Sequence, residues 1–281
     1  MNVFETIKPI SPFLQKHIAY YYFHKATRQE QPIKFSYYPH FNNALTIYNN
    51  SDFYLNTPYD SVCLPNETAG YQVAYTKLIK HFSTAELHTP FDKVGVVFQP
   101  LGLNHFIDCP LSSVAQQPLN LTFNYFKDSI SPYLDRIYAT DDFDKKVHLL
   151  DEYFHSIYIG FQDEILEQAI ELLLKKDDKY TVNELSEALN VSRRTLLRIF
   201  RKHLNCSVKD YINVIQFRKA LEIYQESTDK PSLTRVALDS DYYDQSEFIK
   251  HFTKLTGFNP KNFFKRVVKY GSEKTYWAFD S

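Results

Sequence analysis

Residues 184–200, ELSEALNVSRRTLLRIF, read as a helix, a tight turn and a second helix, and the same pattern recurs about fifty residues later. In the first copy Leu185, Ala188 and Leu189 share one face of the leading helix. Asn190 occupies the turn, where a short polar side chain tolerates a positive φ. Ser192 stands as the N-cap of the following helix, its hydroxyl placed to accept from an exposed amide of the next turn. Leu196, Ile199 and Phe200 point inward at helical spacing. That leaves Arg193, Arg194, Leu197, Arg198 and Arg201 on the outer side. A short helix with a basic outer face, backed by another helix, has the shape and charge to enter a DNA major groove.

The second copy is TRVALDSDYYDQSEFIKHFTKLTGFNP, residues 234–260. Matching positions are 51 apart before the turn (Leu185 with Val236, Asn190 with Asp241) and 52 apart after it (Ser192 with Asp244, Phe200 with Phe252, Asn205 with Gly257). The second turn is therefore one residue longer. Asp244 caps where Ser192 does, and Phe248, Phe252 and Leu255 form the inward set. A helix over residues 209–224 joins the copies, so two recognition helices are expected in successive major grooves, roughly 34 Å apart.

Charge follows this division. Residues 175–281 hold 20 Lys and Arg against 14 Asp and Glu, and residues 1–174 hold 12 against 19. A basic final third suits a polyanion-binding module attached to a different unit. Three scattered cysteines, Cys63, Cys109 and Cys206, lack zinc spacing and predict neither a disulfide scaffold nor a structural metal. The opening MNVFETIKPISPFL has no basic start before an apolar run, so no signal peptide is expected. No apolar stretch approaches membrane-spanning length, and a cytoplasmic location is the default expectation.

Before the repeats the pattern changes. Residues 13–23 read as a short helix entering a strand, and 34–38, 44–48, 53–55, 71–80 and 93–99 read as strands bounded by Pro, Asn and Asp. Residues 101–108 suggest a short helix. A helix over 123–139 is expected to break at Ser131-Pro132. Residues 142–158 carry an apolar stripe of Phe143, Val147, Leu150, Phe154 and Ile157, suited to a core or to self-association. Residues 162–176 begin the helical unit, with Asp177-Asp178-Lys179 as an exit loop, and the tail after Gly271 is expected to be loosely held. The fold class is thus α+β: a mixed, mainly β domain with helices over 1–160, then an all-α domain over 161–281. Within the latter, the helix-turn-helix units fall at about 181–203 and 232–255, and the linker helix at about 208–225.

Residues 162–266 resemble the C-terminal domain of the AraC/XylS family of bacterial transcription regulators. Ala237, Tyr242, Asp244, Ser246, Phe248, Lys250, Phe252, Gly257 and Pro260 stand where that family places A, F, D, S, F, R, F, G and P. Asn190, Asn205 and Asp241 occupy places usually held by Gly, and Gln216 replaces an Arg at the start of the linker pattern, which puts a supporting polar contact in question. DKVGVVFQPLGLNHFIDCPL, residues 92–111, more loosely resembles the sensor-like domain of such regulators, a cupin-like barrel in better-known relatives.

The resemblance implies base contacts by Arg194, Leu197 and Arg198 and phosphate contacts by Arg193, Thr195 and Arg201. In the second copy it implies Gln245, Ser246, Ile249 and Lys250. Arg pairs with guanine O6 and N7, Leu with the thymine methyl, Gln with adenine. The implied partners are a double-stranded operator, a small-molecule effector, a second copy of the chain and RNA polymerase, with activation as one regulatory role. No cofactor and no enzyme activity are implied. The alternative is a catalytic or metal-binding N-terminal domain tethered to DNA. His81 and His88 with Glu86 between them lack the short His-x-His pair a cupin metal site uses, and no nucleophile elbow, phosphate loop or dinucleotide fingerprint occurs.

Overall fold

The computed structural model describes residues 2–27, 31–77, 79–117, 119–121, 123–175, 179–271, 273 and 275–279. Asp177 and Asp178 of the expected exit loop lie outside the described residues.

The strand β9 (Phe91–Phe98, FDKVGVVF) is buried on both faces, which is why it reads as a continuous apolar run rather than an alternating one. It sits inside a six-stranded antiparallel sheet with β1 (Asn2–Ile7), β2 (Ile18–Ala26), β4 (Asn43–Asn49), β7 (Tyr71–Thr76) and β10 (Leu119–Asn120), in the order β1-β2-β9-β4-β7-β10. Gly95 is required in β9 because a Cβ there would stand 1.8 Å from the Tyr22 ring. One face of this sheet is covered by helices. The helix α2 (Lys127–Tyr138) and the helix α3 (Phe143–Ser156) bury Ile130, Leu134, Val147, Leu150 and Phe154 against Tyr21, Val94 and Val96. The α3 stripe is therefore core. Asp142 caps that helix, accepting from the Lys145 amide.

The break expected at Pro132 does not occur, and α2 runs through it. Proline is the sixth residue of the helix, and the carbonyl it leaves unpaired belongs to exposed Asp128, which water can satisfy.

A second sheet has the order β11-β12-β3-β8-β6-β5, from β3 (Ile33–Tyr37), β5 (Ser51–Thr57), β6 (Asp60–Pro65), β8 (Ser83–Leu87), β11 (Val268–Lys269) and β12 (Tyr276–Phe279). Among the described residues only β6 and β8 pair in parallel. The expected strand 71–80 is thus shorter, ending at Thr76, and β8 forms a separate strand in the other sheet. Part of the tail expected to be loosely held is anchored: β12 pairs with β3, Trp277 opposite Tyr37 and Phe279 opposite Phe35, and the Trp277 and Phe35 rings stack at 4.2 Å, while residues 272, 274, 280 and 281 lie outside the described residues. The C-terminal strand therefore completes the N-terminal sheet.

Among the described residues, seven helices form the remaining unit: α4 (Glu164–Leu174), α5 (Val182–Ala188), α6 (Arg193–Leu204), α7 (Val208–Glu226), α8 (Leu233–Asp239), α9 (Gln245–Thr256) and α10 (Pro260–Arg266). Helix α7 is the shared beam. Its Tyr211 and Val214 pack with Leu166, Leu185, Leu196 and Phe200, and its Phe217 and Leu221 pack with Val236, Phe248, Phe252 and Phe263. Both clusters reach into the sheet domain, through Ile79 and Leu101 in the first and Tyr38 in the second. The architecture is α+β, a two-sheet domain followed by a helical unit. Among the described residues no helix is long and apolar enough to cross a membrane.

Candidate nucleic-acid interface

The first reader is held by caps at both of its helix starts. Thr181 and Glu184 form a reciprocal capping box on α5, with the Glu184 carboxylate 2.7 Å from the Thr181 amide. Each such cap is worth about 1 kcal/mol. The turn bends at Asn190, whose φ is 50°, and the Val191 amide donates to the Ser186 carbonyl at 3.0 Å. Ser192 then caps α6, accepting from the Thr195 amide at 3.1 Å. Leu196, Ile199, Phe200 and Leu204 are buried.

The second reader repeats this construction. Asp241 turns the chain with φ 68°, and the Tyr242 amide donates to the Ala237 carbonyl at 3.1 Å. Asp244 caps α9 by accepting from the Glu247 amide at 2.7 Å, and the Glu247 carboxylate accepts from the Tyr243 amide at 2.8 Å. Both acids are thus tied into the first turn, where they also suit the positive end of the helix dipole. Gln216, the departure from the family pattern, supplies a support of its own. Its Nε2 donates to the Asp241 carbonyl at 2.9 Å, while the Lys219 ammonium meets the Asp241 carboxylate at 2.8 Å. The linker helix therefore braces the left-handed turn of the second reader.

The ten residues singled out above divide clearly. Arg193, Arg194, Arg198 and Arg201 are exposed, and Thr195 and Leu197 are half-buried beside them. Arg193 donates to the Asn183 side-chain oxygen at 3.1 Å, and the Thr195 hydroxyl lies 2.9 Å from that of Ser192. Among the described residues no ion pair engages these four arginines or Lys250. In α9, Gln245, Ser246 and Lys250 are exposed and Ile249 is half-buried. The Thr234 hydroxyl donates to the Gln245 oxygen at 2.9 Å, which turns the Gln245 NH2 outward.

Two features escaped the sequence reading. Tyr243, the extra residue of the longer turn, is 85 % exposed immediately before α9. Its position in the insertion was the available signal. The other is the grip on the opposite helix ends. Both recognition helices finish in a left-handed residue, Asn205 at φ 52° and Gly257 at φ 77°. Asn205 Nδ2 donates to the carbonyls of Leu111 and Ala115 at the short helix α1 (Leu111–Val114), and Asn104 Nδ2 donates to the His203 carbonyl at 3.1 Å. A Cβ on Gly257 would stand 2.9 Å from the Phe82 ring. The sheet domain thus holds both readers by equivalent C-terminal ends and leaves the N-terminal ends open.

A cavity of about 150 Å³ lies between the two sheets. Tyr22, Tyr48 and Phe35 line it, with Arg218 from α7 and Trp277 from β12. Lys93 of β9 is 3 % exposed and its ammonium sits 5.4–6.0 Å from the ring centres of Phe35, Tyr48, Phe91 and Trp277. Burial pulls that amine from 10.5 to about 8. Among the described residues no group of three or more His, Cys, Asp or Glu is arranged to hold a metal ion.

Part of the chain is similar in sequence to known proteins. Residues 185–266 match the helix-turn-helix domain family. The chain is 34 % identical over 86 residues to the Msm operon regulatory protein of Streptococcus mutans, covering 31 % of this chain and 30 % of that protein. It is 26 % identical over 112 residues to the lactose operon transcription activator of Staphylococcus xylosus, covering 38 % and 39 %. The chain thus spans between 30 % and 39 % of the length of these relatives. Among solved structures, ToxT of Vibrio cholerae matches 87 % of this chain and 97 % of its own at 12 % identity, with a TM-score of 0.46.

Proposed function

We propose that this chain, whose C-terminal part is an AraC-type double helix-turn-helix module, is a sequence-specific transcription regulator acting in the cytoplasm. One observation carries the reading. Arg194, Leu197 and Arg198 stand at the open end of a capped helix, and among the described residues neither arginine is taken up by an ion pair. In this reading those three meet base edges, while Arg193 and Thr195 meet phosphates. Gln245, Ser246, Ile249 and Lys250 read the next groove, and Tyr243 lies against the sugar-phosphate chain beside them. Arg201 is exposed but further along α6, toward its docked end.

We assign residues 1–160 to a regulatory unit and 161–281 to the DNA-reading unit, with β12 returning to the former. The effector site is the cavity between the sheets. Its wall includes Arg218 of the beam that joins the two readers, so a molecule filling it bears on their relative placement. The chain is a regulator and not an enzyme; self-association and contact with RNA polymerase belong to the same reading.

Genomic footprinting of the full chain identifies bound sites, and a mobility-shift titration on such a site tests the assignment. Replacing Arg194 and Arg198 together by Ala abolishes specific binding if they read bases. Unchanged affinity for the site would refute it.

A further inference from the structure

Where the C-terminal end of α6 meets the sheet domain there is a second cleft, of about 290 Å³. Its walls include Lys77 and Lys80 after β7, Gln117 before β10, and Arg201, Ser207 and Asp210 around the α6–α7 corner. Its charges do not balance. Lys80 meets Asp210 at 3.2 Å, and the same carboxylate oxygen also accepts the Ser207 hydroxyl at 2.7 Å, so that carboxylate is already paired. Lys77 is 5 % exposed, and among the described residues no hydrogen bond or ion pair reaches its ammonium. Its Nζ stands 5.9 Å from the ring centre of Tyr211. Arg201, at the mouth, has no ion pair among the described residues either.

A buried ammonium without a counter-charge is unfavourable, and burial alone pulls the Lys77 amine below its ordinary value. An anion in the cleft removes that cost. Two uncompensated cations match a dianion better than a carboxylate, and the N-terminus of the 19-residue α7, capped by Ser207, opens onto the same space. The volume holds roughly ten waters, enough for a phosphate and a small body attached to it.

We propose that this cleft binds a phosphate monoester of a small metabolite, its head between Lys77 and Arg201. The cleft is separate from the aromatic cavity between the sheets and from the DNA-reading ends. Arg201 follows Arg193 by eight residues, roughly 12 Å along α6, and Lys77 is buried. Such a ligand ties the sheet domain to the first reader but not to the second, because Lys77 belongs to one and Arg201 to the other.

The test uses the full chain at constant ionic strength in a phosphate-free buffer, with no DNA present, so it is independent of the regulator reading. Inorganic phosphate and glycerol 3-phosphate are titrated by calorimetry and by thermal shift, with acetate and chloride as controls. Both phosphates bind saturably and raise the unfolding midpoint. Lys77→Met weakens binding at least tenfold while unfolding no earlier than the parent in chloride. Arg201→Gln, at an exposed position that does not endanger folding, weakens it less. Absence of saturable binding, equal binding of acetate, or an unchanged affinity in both variants overturns the proposal.

Discussion

Lys93 offers a quantitative test of the cavity between the sheets. Its amine falls from 10.5 to about 8 because burial disfavours the charged form. At neutral pH that difference corresponds to about 3 kcal/mol against the folded state. The rings of Phe35, Tyr48, Phe91 and Trp277, at 5.4–6.0 Å, attract the ammonium and act against that penalty. Lys93→Met keeps the length of the side chain, removes the charge and places a thioether among aromatic rings. The variant is therefore more stable at pH 7, by at most about 3 kcal/mol, a rise of up to about 5 °C in midpoint for a chain of this size. The gain depends on pH in one direction. Below pH 8 the lysine is charged in both folded and unfolded chains and the full penalty applies. Between about 8 and 10.5 the folded lysine is neutral while the unfolded one still holds its proton, so stability rises with pH and the advantage of Met fades. Thermal denaturation of both chains at pH 7, 8, 9 and 10, in the absence of small molecules, measures this. A variant less stable than the parent at pH 7, or an advantage that does not shrink with pH, would refute the reasoning.

Arg198→Ala costs roughly 1–3 kcal/mol of specific DNA binding and relaxes preference at one base pair, read by mobility shift on variant sites. Binding also weakens steeply with salt, because phosphate contacts release counterions, and a flat response would remove the basic face of α6 as the binding surface. Asn190→Gly, relieving a left-handed residue, stabilises by about 0.5 kcal/mol in urea denaturation, whereas Asn205→Gly loses the bonds to Leu111 and Ala115 and destabilises by about 1 kcal/mol. His17 and His251, both held near 4 by burial, make stability fall as pH drops from 6.5 toward 4; His251→Asn flattens that slope by one proton in acid-titration melts.

Much of the second half was legible because helix signals are local. A cap, an inward triplet and a left-handed residue all lie within one or two turns of each other, so Ser192, Asp244, Asn190 and Asp241 declared their roles by type and spacing. The sheet domain was read less fully. β9 carries an apolar run from Val94 to Phe98, but β1, β6 and β8 are short and mixed, and strand character there depends on neighbours far away in the chain. Pro132 misled for a related reason, since part of its cost depends on whether the residue whose carbonyl it frees is buried, and Asp128 is exposed.

The sequence by itself determined the two readers: their length, their offset, the longer second turn and the ridge of basic side chains, all set by contacts a few residues apart. Only the tertiary structure decided how the readers are held. The pairing of residues 277–279 with 35–37, the seat of Gly257 on Phe82 and the bonds from Asn205 to α1 join segments some 90 to 240 residues apart. The lone ammoniums of Lys77 and Lys93 emerge in the same way, because whether a lysine has a partner depends on what folds around it.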